Sequence, residues 1–393
     1  MPSDAMAGAG LEPVADGRQS QVPIKGRGTA TALPNRFEGW QRQRDDDGWA
    51  RPQPWPAGQE DACDVGRPAT EVTPQVARSI LSRNDSPDVP FEWAVNPYRG
   101  CEHGCSYCYA RPTHSYLNLS PGLDFETRLV AKTNAPALLQ VALAKPGRHI
   151  GPINLGSATD PYQPIERTWR LTRGLLEVLD ACSHPFTLVT KSALVMRDID
   201  LLARAARRRQ VHVMVSITSL DNGLSRVLEP RASAPLRRLQ AVRALAEAGV
   251  PVGVNVAPII PFINEPEIEA IVAAAAAAGA RTVHHTVLRL PWEVRPLFEE
   301  WLQHHAPLKK ARVLARLRDL GDGEVYAAGF GERMKGRGIW GQLIAQRMSR
   351  AAARHGLQLQ PPVLVPGDGV SGTPGTMGGP AKALPQAAQQ RLF

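Results

Sequence analysis

The stretch NPYRGCEHGCSYCYARPTHSYLNLSP, residues 96–121, decides how this chain is read. It holds three of the five cysteines, Cys101, Cys105 and Cys108, within eight residues. Such a cluster is not a disulfide framework; in a reducing compartment it marks a metal or catalytic site. Thiolates at CxxxCxxC spacing in one tight loop can put three sulfurs on one small metal centre. Iron–sulfur clusters are normally held by four thiolates. Three would leave one iron open to an outside molecule, and an open position separates catalytic from structural metal sites, a logic clearest for zinc. Zinc is the competing occupant. His103 or His114 would have to complete a Cys3His set from the same loop, and no second CxxC exists to form a paired knuckle.

Outward from this loop the texture is strand alternating with helix. FEWAVNP, GPINLGS, FTLVTKS, VHVMVSITS, VPVGVNVAPII and TVHHTVLRL are short, β-branched apolar runs of the kind buried in a parallel sheet. Amphipathic or Ala-rich helical segments lie between them, among them TRGLLEVLDACS, DIDLLARAARRR and PLRRLQAVRALAEAG. Repeated βα units predict an α/β fold with a parallel sheet, either open or a barrel. No GxGxxG or P-loop follows the first strand, which disfavours the nucleotide-binding folds. The reading adopted is a partial (β/α)6 TIM-like barrel of about six strands within residues 91–290. Barrel sites sit at the C-terminal ends of strands. Those ends present Ser157, Asp160, Lys191, Ser216 and Asn255. Each alone reads equally as a helix N-cap; five at corresponding positions point to a ligand site.

CxxxCxxC with an aromatic, Tyr107, before the last cysteine resembles the signature of the radical S-adenosylmethionine (SAM) superfamily. That resemblance implies a [4Fe-4S] cluster on Cys101, Cys105 and Cys108 whose unique iron takes the amino and carboxylate groups of SAM. It also implies reductive cleavage of SAM to methionine and a 5′-deoxyadenosyl radical, and an electron donor such as flavodoxin or ferredoxin. Within the superfamily, GCxxxCxYCYA, the TKS turn and the SI pair resemble spore photoproduct lyase and its relatives over roughly residues 91–290. By that resemblance Ser157, Lys191 and Ser216 contact SAM, and Tyr109 lies near the path of the substrate radical, with Tyr107 beside it as a second catalytic candidate. Asp160, Asn255 and Glu166 are further candidates for SAM or substrate. The lyase carries a hydrogen-donating cysteine where this chain has Gly156, so the lyase reaction would lack its hydrogen-atom donor here unless Cys182, Cys63 or a tyrosine substitutes. Cys182, at a helix end, reads as an ordinary buried cysteine.

The rest of the chain bounds the function. Of 393 residues, 1–75 read as a mostly disordered extension, 76–290 as the barrel, 291–358 as a helical segment and 359–393 as a Gly/Pro-rich tail. Two islands stand out in the extension: KGRGTATALPNRF and a Trp-bearing segment after it. The tetrad Lys-Gly-Arg-Gly recurs at Lys335 to Gly338; it reads either as paired phosphate-approaching loops or as chance recurrence. A net charge of +9 favours a polyanionic partner such as nucleic acid. The terminal QQRLF resembles the peptide that binds the DNA sliding clamp, with Leu392 and Phe393 for an apolar pocket and Gln389 for a polar subsite. No apolar run reaches the roughly 18 residues of a membrane span, and no secretory signal opens the chain, so a cytoplasmic enzyme is expected. The leading function is radical chemistry on DNA or another nucleic acid. RNA, protein or a small molecule are the alternative substrates, and a non-catalytic iron–sulfur adaptor is the alternative class.

Overall fold

The alternating apolar runs pair side by side. The computed structural model describes residues 23–37, 68–146, 149–326, 329–331 and 333–366. In chain order the strands are β1 (Glu71–Gln75), β2 (Leu81–Arg83), β3 (Trp93–Val95), β4 (Tyr98–Arg99), β5 (Arg128–Lys132), β6 (Ile153–Leu155), β7 (Phe186–Thr190), β8 (Val211–Ser216), β9 (Val252–Ile259) and β10 (Thr282–Val287). The large sheet runs β10-β9-β8-β7-β6-β3-β2. Its six strands from β3 to β10 are mutually parallel, and antiparallel β2 covers the β3 edge. The six expected runs are these six strands, and the sheet belongs to an α/β fold of partial-barrel type.

Period-two burial sets the two faces. Val211, Val213 and Val215 of β8 and Val252, Val254 and Val256 of β9 join one core with helix residues such as Leu201, Leu202, Val242 and Leu245. The helix Leu171–Ala181 shows the complementary pattern, burying Leu171, Leu175, Leu176 and Leu179 along one stripe. Each such leucine contributes about 2 kcal/mol of burial. His212, Met214, Ser216, Asn255 and His284 alternate with the valines and so occupy the opposite face, away from the helices.

A second sheet, β1-β5-β4, flanks the loop after β3. Two parts of the expected extension, residues 23–37 and 68–75, are described and pack onto this sheet. β1 pairs with β5 from Glu71↔Arg128 to Gln75↔Lys132, and Ala30, Leu33 and Arg27 are buried. β1 is held by its backbone ladder to β5 and residues 28–31 by hydrogen bonds to Glu126 and Glu300, none of which requires an apolar stripe. The helix Gly338–Arg354 lies against Ile268–Ala277, where Arg347 bonds Glu269 at 2.7 Å, and its Ile344 and Met348 enter the main core. Residue 290 therefore marks a change of element type inside one core. The two Lys-Gly-Arg-Gly tetrads are not equivalent loops: Arg27 is spent on internal hydrogen bonds, whereas Arg337 pairs with Asp322 before a helix. Gln389, Leu392, Phe393 and Cys63 lie outside the described residues. No described helix is long and apolar enough to cross a membrane.

Candidate functional site

The cysteine loop is a series of tight turns carried on the C-terminal side of β3. The Gly104 amide donates to the Cys101 carbonyl at 3.3 Å, Cys108 to Cys105 at 3.2 Å and Arg111 to Cys108 at 3.2 Å. Gly100 has φ +73°, and an added β-carbon would meet Leu129, His114 and the Phe125 carbonyl oxygen at 2.6–2.9 Å. Only glycine permits that turn. From below, the fully buried Arg111 donates through Nε to the Cys105 carbonyl at 2.9 Å and pairs with Glu126 at 2.5 Å. Glu126 in turn accepts the Gly28 amide at 2.9 Å.

All three cysteines are free thiols, with Cys101 and Cys105 buried and Cys108 partly so. Burial pushes each thiol up, and for Cys101 the charges of Asp160, Cys105 and Cys108 push further. Three clustered thiolates therefore need a cationic centre to stabilise them, which is the chemistry of an iron–sulfur ligand set. The histidines do not complete a zinc site. His103 Nδ1 faces Asp160 at 3.3 Å, and His114 Nε2 is hydrogen-bonded with the Arg128 carbonyl at 2.9 Å while its ring packs edge-on to Phe125. Among the described residues no three His, Cys, Asp or Glu side chains gather where one metal ion could sit.

The strand ends form one connected face beside the loop. Asn96, just past β3, donates to the Ser157 hydroxyl at 2.9 Å and accepts the Ala158 amide at 2.9 Å. Asp160 accepts the Thr190 hydroxyl and the Lys191 amide, both at 2.7 Å, and the Tyr162 amide at 2.8 Å. Burial would raise its carboxyl, but His103 and these donors hold it below the ordinary carboxylate range. Its oxygens are thus engaged in tying the β6 and β7 ends to the cysteine loop. Glu166 is equally occupied, fully buried against Tyr98, Arg197 and the Thr172 amide. Ser216, Asn255 and His284 are register partners across β8, β9 and β10 and form a single row.

Several residues of this face carried no sequence signal. The Tyr107 hydroxyl donates to Glu229, whose other oxygen receives the buried Arg238. Lys191 Nζ lies 3.8 Å from Glu229 and 5.9 Å from the centre of the Tyr107 ring. Burial would raise Glu229, yet Arg238 and Lys191 bring it down to about 2. Arg238 also donates to the Ser216 carbonyl at 3.0 Å. Gln163 braces the loop, accepting the Glu102 amide at 2.8 Å and donating to the Gly100 carbonyl at 3.2 Å. Glu229, Arg238 and Gln163 are isolated in sequence; only folding brings them to the cysteines. His284 had a readable signal, since in TVHHTV it alternates with core valines.

Tyr109 donates to the Ser157 carbonyl, which places its phenol beside Gly156. Gly156 has φ +94°, and a β-carbon there would lie 2.6 Å from the Val189 carbonyl oxygen and 2.7 Å from Pro161. The position is closed to a cysteine with this backbone. Cys182 is exposed rather than buried; it caps the C-terminus of Leu171–Ala181, just before β7 begins. That is the strand-start end, remote from the cysteine loop.

Residues 95–275 match the Radical SAM superfamily. An uncharacterised Mycobacterium tuberculosis (H37Rv) protein is 38% identical over 234 residues, covering 59% of this chain and 68% of its own length. The chain belongs to the radical SAM superfamily. A second uncharacterised relative, from Methanocaldococcus jannaschii, is 31% identical over 177 residues, 45% of this chain and 63% of that protein. Among solved structures, spore photoproduct lyase complexed with a dinucleoside spore photoproduct has a TM-score of 0.51 at 20% identity, covering 73% of this chain and 81% of the other. At that identity the likeness is one of fold. As a radical SAM enzyme the protein uses a [4Fe-4S] cluster and SAM, and the buried three-thiol loop suits that cluster.

Proposed function

We propose that this radical SAM enzyme acts on a nucleic acid and returns hydrogen to its substrate from Tyr109 rather than from a thiol. Cys101, Cys105 and Cys108 would hold the cluster, and Ser157, Lys191, Ser216 and Asn255 would contact SAM. Asp160 and Tyr107 would position the loop and Lys191. When bound, the cluster and SAM supply reductive SAM cleavage and a 5′-deoxyadenosyl radical that removes hydrogen from substrate. The protein's part is to hold the reactants and exclude competing donors.

The single observation that carries the donor assignment is the meeting of Tyr109 with the Ser157 carbonyl beside a thiol-free, space-closed Gly156. A phenol O–H bond is weaker than a saturated C–H bond, so a carbon radical takes that hydrogen downhill. The phenoxyl left on Tyr109 regains an electron from the reductant and a proton from solvent. Arg289, with its guanidinium 4.7 Å from the centre of the Tyr109 ring, marks the same mouth as cationic. The nucleic-acid assignment is supported by the chain's +9 charge and by the fold shared with a lyase solved with a dinucleoside.

The test is transfer of deuterium from labelled oligonucleotides into 5′-deoxyadenosine under anaerobic reduction. DNA or RNA label in 5′-deoxyadenosine supports the substrate class, whereas label from neither, with SAM still cleaved, rejects it. Tyr109→Phe should keep SAM cleavage while product formation falls at least tenfold and unquenched substrate radical accumulates. Full product yield from Tyr109→Phe would reject the phenol as donor.

A further inference from the structure

Four side chains from three separate parts of the chain meet in a way the radical chemistry does not need. Arg36, near the end of the N-terminal arm, lays its guanidinium 4.3 Å from the Trp292 ring centre, 5.2 Å from Phe37 and 5.4 Å from Tyr116. Phe37 and Tyr116 are themselves 5.4 Å apart, centre to centre. Yet the three rings stay 57%, 49% and 55% exposed for Phe37, Tyr116 and Trp292. If the cluster served only to fasten the arm, burying these rings would stabilise the fold more. Instead about half of each residue's surface stays open to solvent.

Two further features give this surface a direction. Trp292 has φ +44°, a left-handed conformation unusual for a bulky residue, and such outliers collect at ligand clamps. It also stands three residues after Arg289, whose guanidinium covers the ring of Tyr109. Tyr116 follows the cysteine loop on the helix Arg111–Leu117. Tyr116 is therefore carried just after the segment that bears Tyr109, and Trp292 on the segment that bears Arg289.

We infer that Arg36, Phe37, Tyr116 and Trp292 form a stacking platform for unpaired nucleobases, flanking the nucleotide that reacts at Tyr109. The inference rests on the nucleic-acid reading of the site. Every base has a π-face, so such a platform grips single strands with little sequence preference, and arginine adds attraction for both the base and the phosphate. The occupant is polynucleotide rather than acidic protein because the surface offers flat rings beside single guanidinium groups, of which Arg36 is already paired with Glu293 at 3.8 Å and so serves the rings more than a free anion. A row of lysines, by contrast, would attract any polyanion.

The experiment is fluorescence-anisotropy binding of the full chain to single-stranded oligo(dT), its duplex and heparin across a salt series. Tryptophan-to-alanine and tyrosine-to-alanine changes at the platform (Trp292→Ala, Tyr116→Ala) should each weaken oligo(dT) binding about tenfold and leave the salt slope unchanged, since stacking releases few counterions. Trp292→Phe should recover most of the loss, which separates stacking from misfolding; circular dichroism melts check the fold of each variant. Heparin, which has no bases, should bind all variants alike. If the wild type binds oligo(dT) and both alanine variants bind it equally well, the platform is overturned while the nucleic-acid reading stands. Loss of heparin and oligo(dT) binding together overturns it in favour of a general polyanion surface. If the wild type binds no oligonucleotide, the nucleic-acid reading itself fails.

Discussion

Gly28 and Gly104 are in backbone contact: a β-carbon on Gly28 would lie 1.6 Å from the Gly104 carbonyl oxygen. The N-terminal arm therefore presses directly on the loop between Cys101 and Cys105, with the Gly28 amide and the Thr29 hydroxyl both bonded to Glu126. Gly28→Ala cannot be accommodated without moving one backbone. It should cost about 1–3 kcal/mol, lower the thermal midpoint and reduce iron per chain after anaerobic reconstitution. A Gly28→Ala protein that melts and loads iron like wild type would show that the arm does not brace the loop.

Glu229 gives the site a defined acid sensitivity. Its carboxyl falls from the ordinary 4.5 to about 2 in the folded protein, where Arg238 and Lys191 favour the ionised form over the cost of burial. A depressed acid stabilises the fold fully above the unfolded value, and that contribution is lost as pH falls through the folded one. The cluster-free protein should therefore lose stability between about pH 4.5 and pH 2. Glu229→Gln leaves Arg238 buried beside a neutral partner and should cost about 3–5 kcal/mol at pH 7, with a flatter profile across that window. Tyr107→Phe removes only one donor to Glu229 and should cost about 1–2 kcal/mol. Denaturant titrations at stepped pH measure all three; an unchanged acid limb in Glu229→Gln would assign the sensitivity elsewhere.

Restoring a thiol at Gly156 should fail on structural grounds. The residue combines φ +94° with β-carbon contacts of 2.6 Å and 2.7 Å, so Gly156→Cys adds backbone strain to a clash with the Val189 carbonyl. We expect a loss of about 1–3 kcal/mol, read as a lower thermal midpoint. Comparison with Gly156→Ala isolates the β-carbon from the sulfur, and the two should fall together. A stable Gly156→Cys protein would mean that the turn relaxes and that this position could host a thiol donor.

What the sequence made legible follows from range. Six parallel strands and the cysteine loop are local patterns, β-branched runs and a fixed spacing, and they survive folding unchanged. Ser157 and Ser216 were also readable as strand-end residues, whereas Asn255, expected at a strand end, lies in the middle of β9, which runs on to Ile259, and reaches the row only as the register partner of Ser216. The bracing of the site was not. Arg111 with Glu126, Tyr107 with Glu229 and Arg238, and Gln163 with the Gly100 carbonyl are separated by up to 122 residues and leave no periodic trace. KGRGTATALPNRF stood out as an island in the sequence, but its place did not, for the same reason: Arg27 bonds the Glu126 carbonyl 99 residues away. Asp160 shows the converse. Its place at a strand end suggested a ligand contact, and only its partners revealed how fully its oxygens are engaged.

Asn96 tests whether these supports matter to SAM. It lies inside the stretch that decided the fold, yet nothing in NPYRG distinguished it. Its amide nitrogen bonds the Ser157 hydroxyl at 2.9 Å, and its oxygen receives the Ala158 amide at 2.9 Å and the Thr159 amide at 3.3 Å. One side chain thus fixes the turn that carries a proposed SAM contact. Asn96→Ala releases all three groups without touching a cysteine, so iron content should hold while SAM affinity falls about tenfold, the value of one or two well-placed hydrogen bonds. Asn96→Asp keeps the accepting oxygen and loses the donor, so its affinity should lie between the two. Calorimetric SAM titration of the reconstituted protein reads the difference, with iron analysis run alongside. Wild-type affinity in Asn96→Ala would detach Ser157 from the SAM site, and a parallel loss of iron would make Asn96 a support of the cluster loop instead.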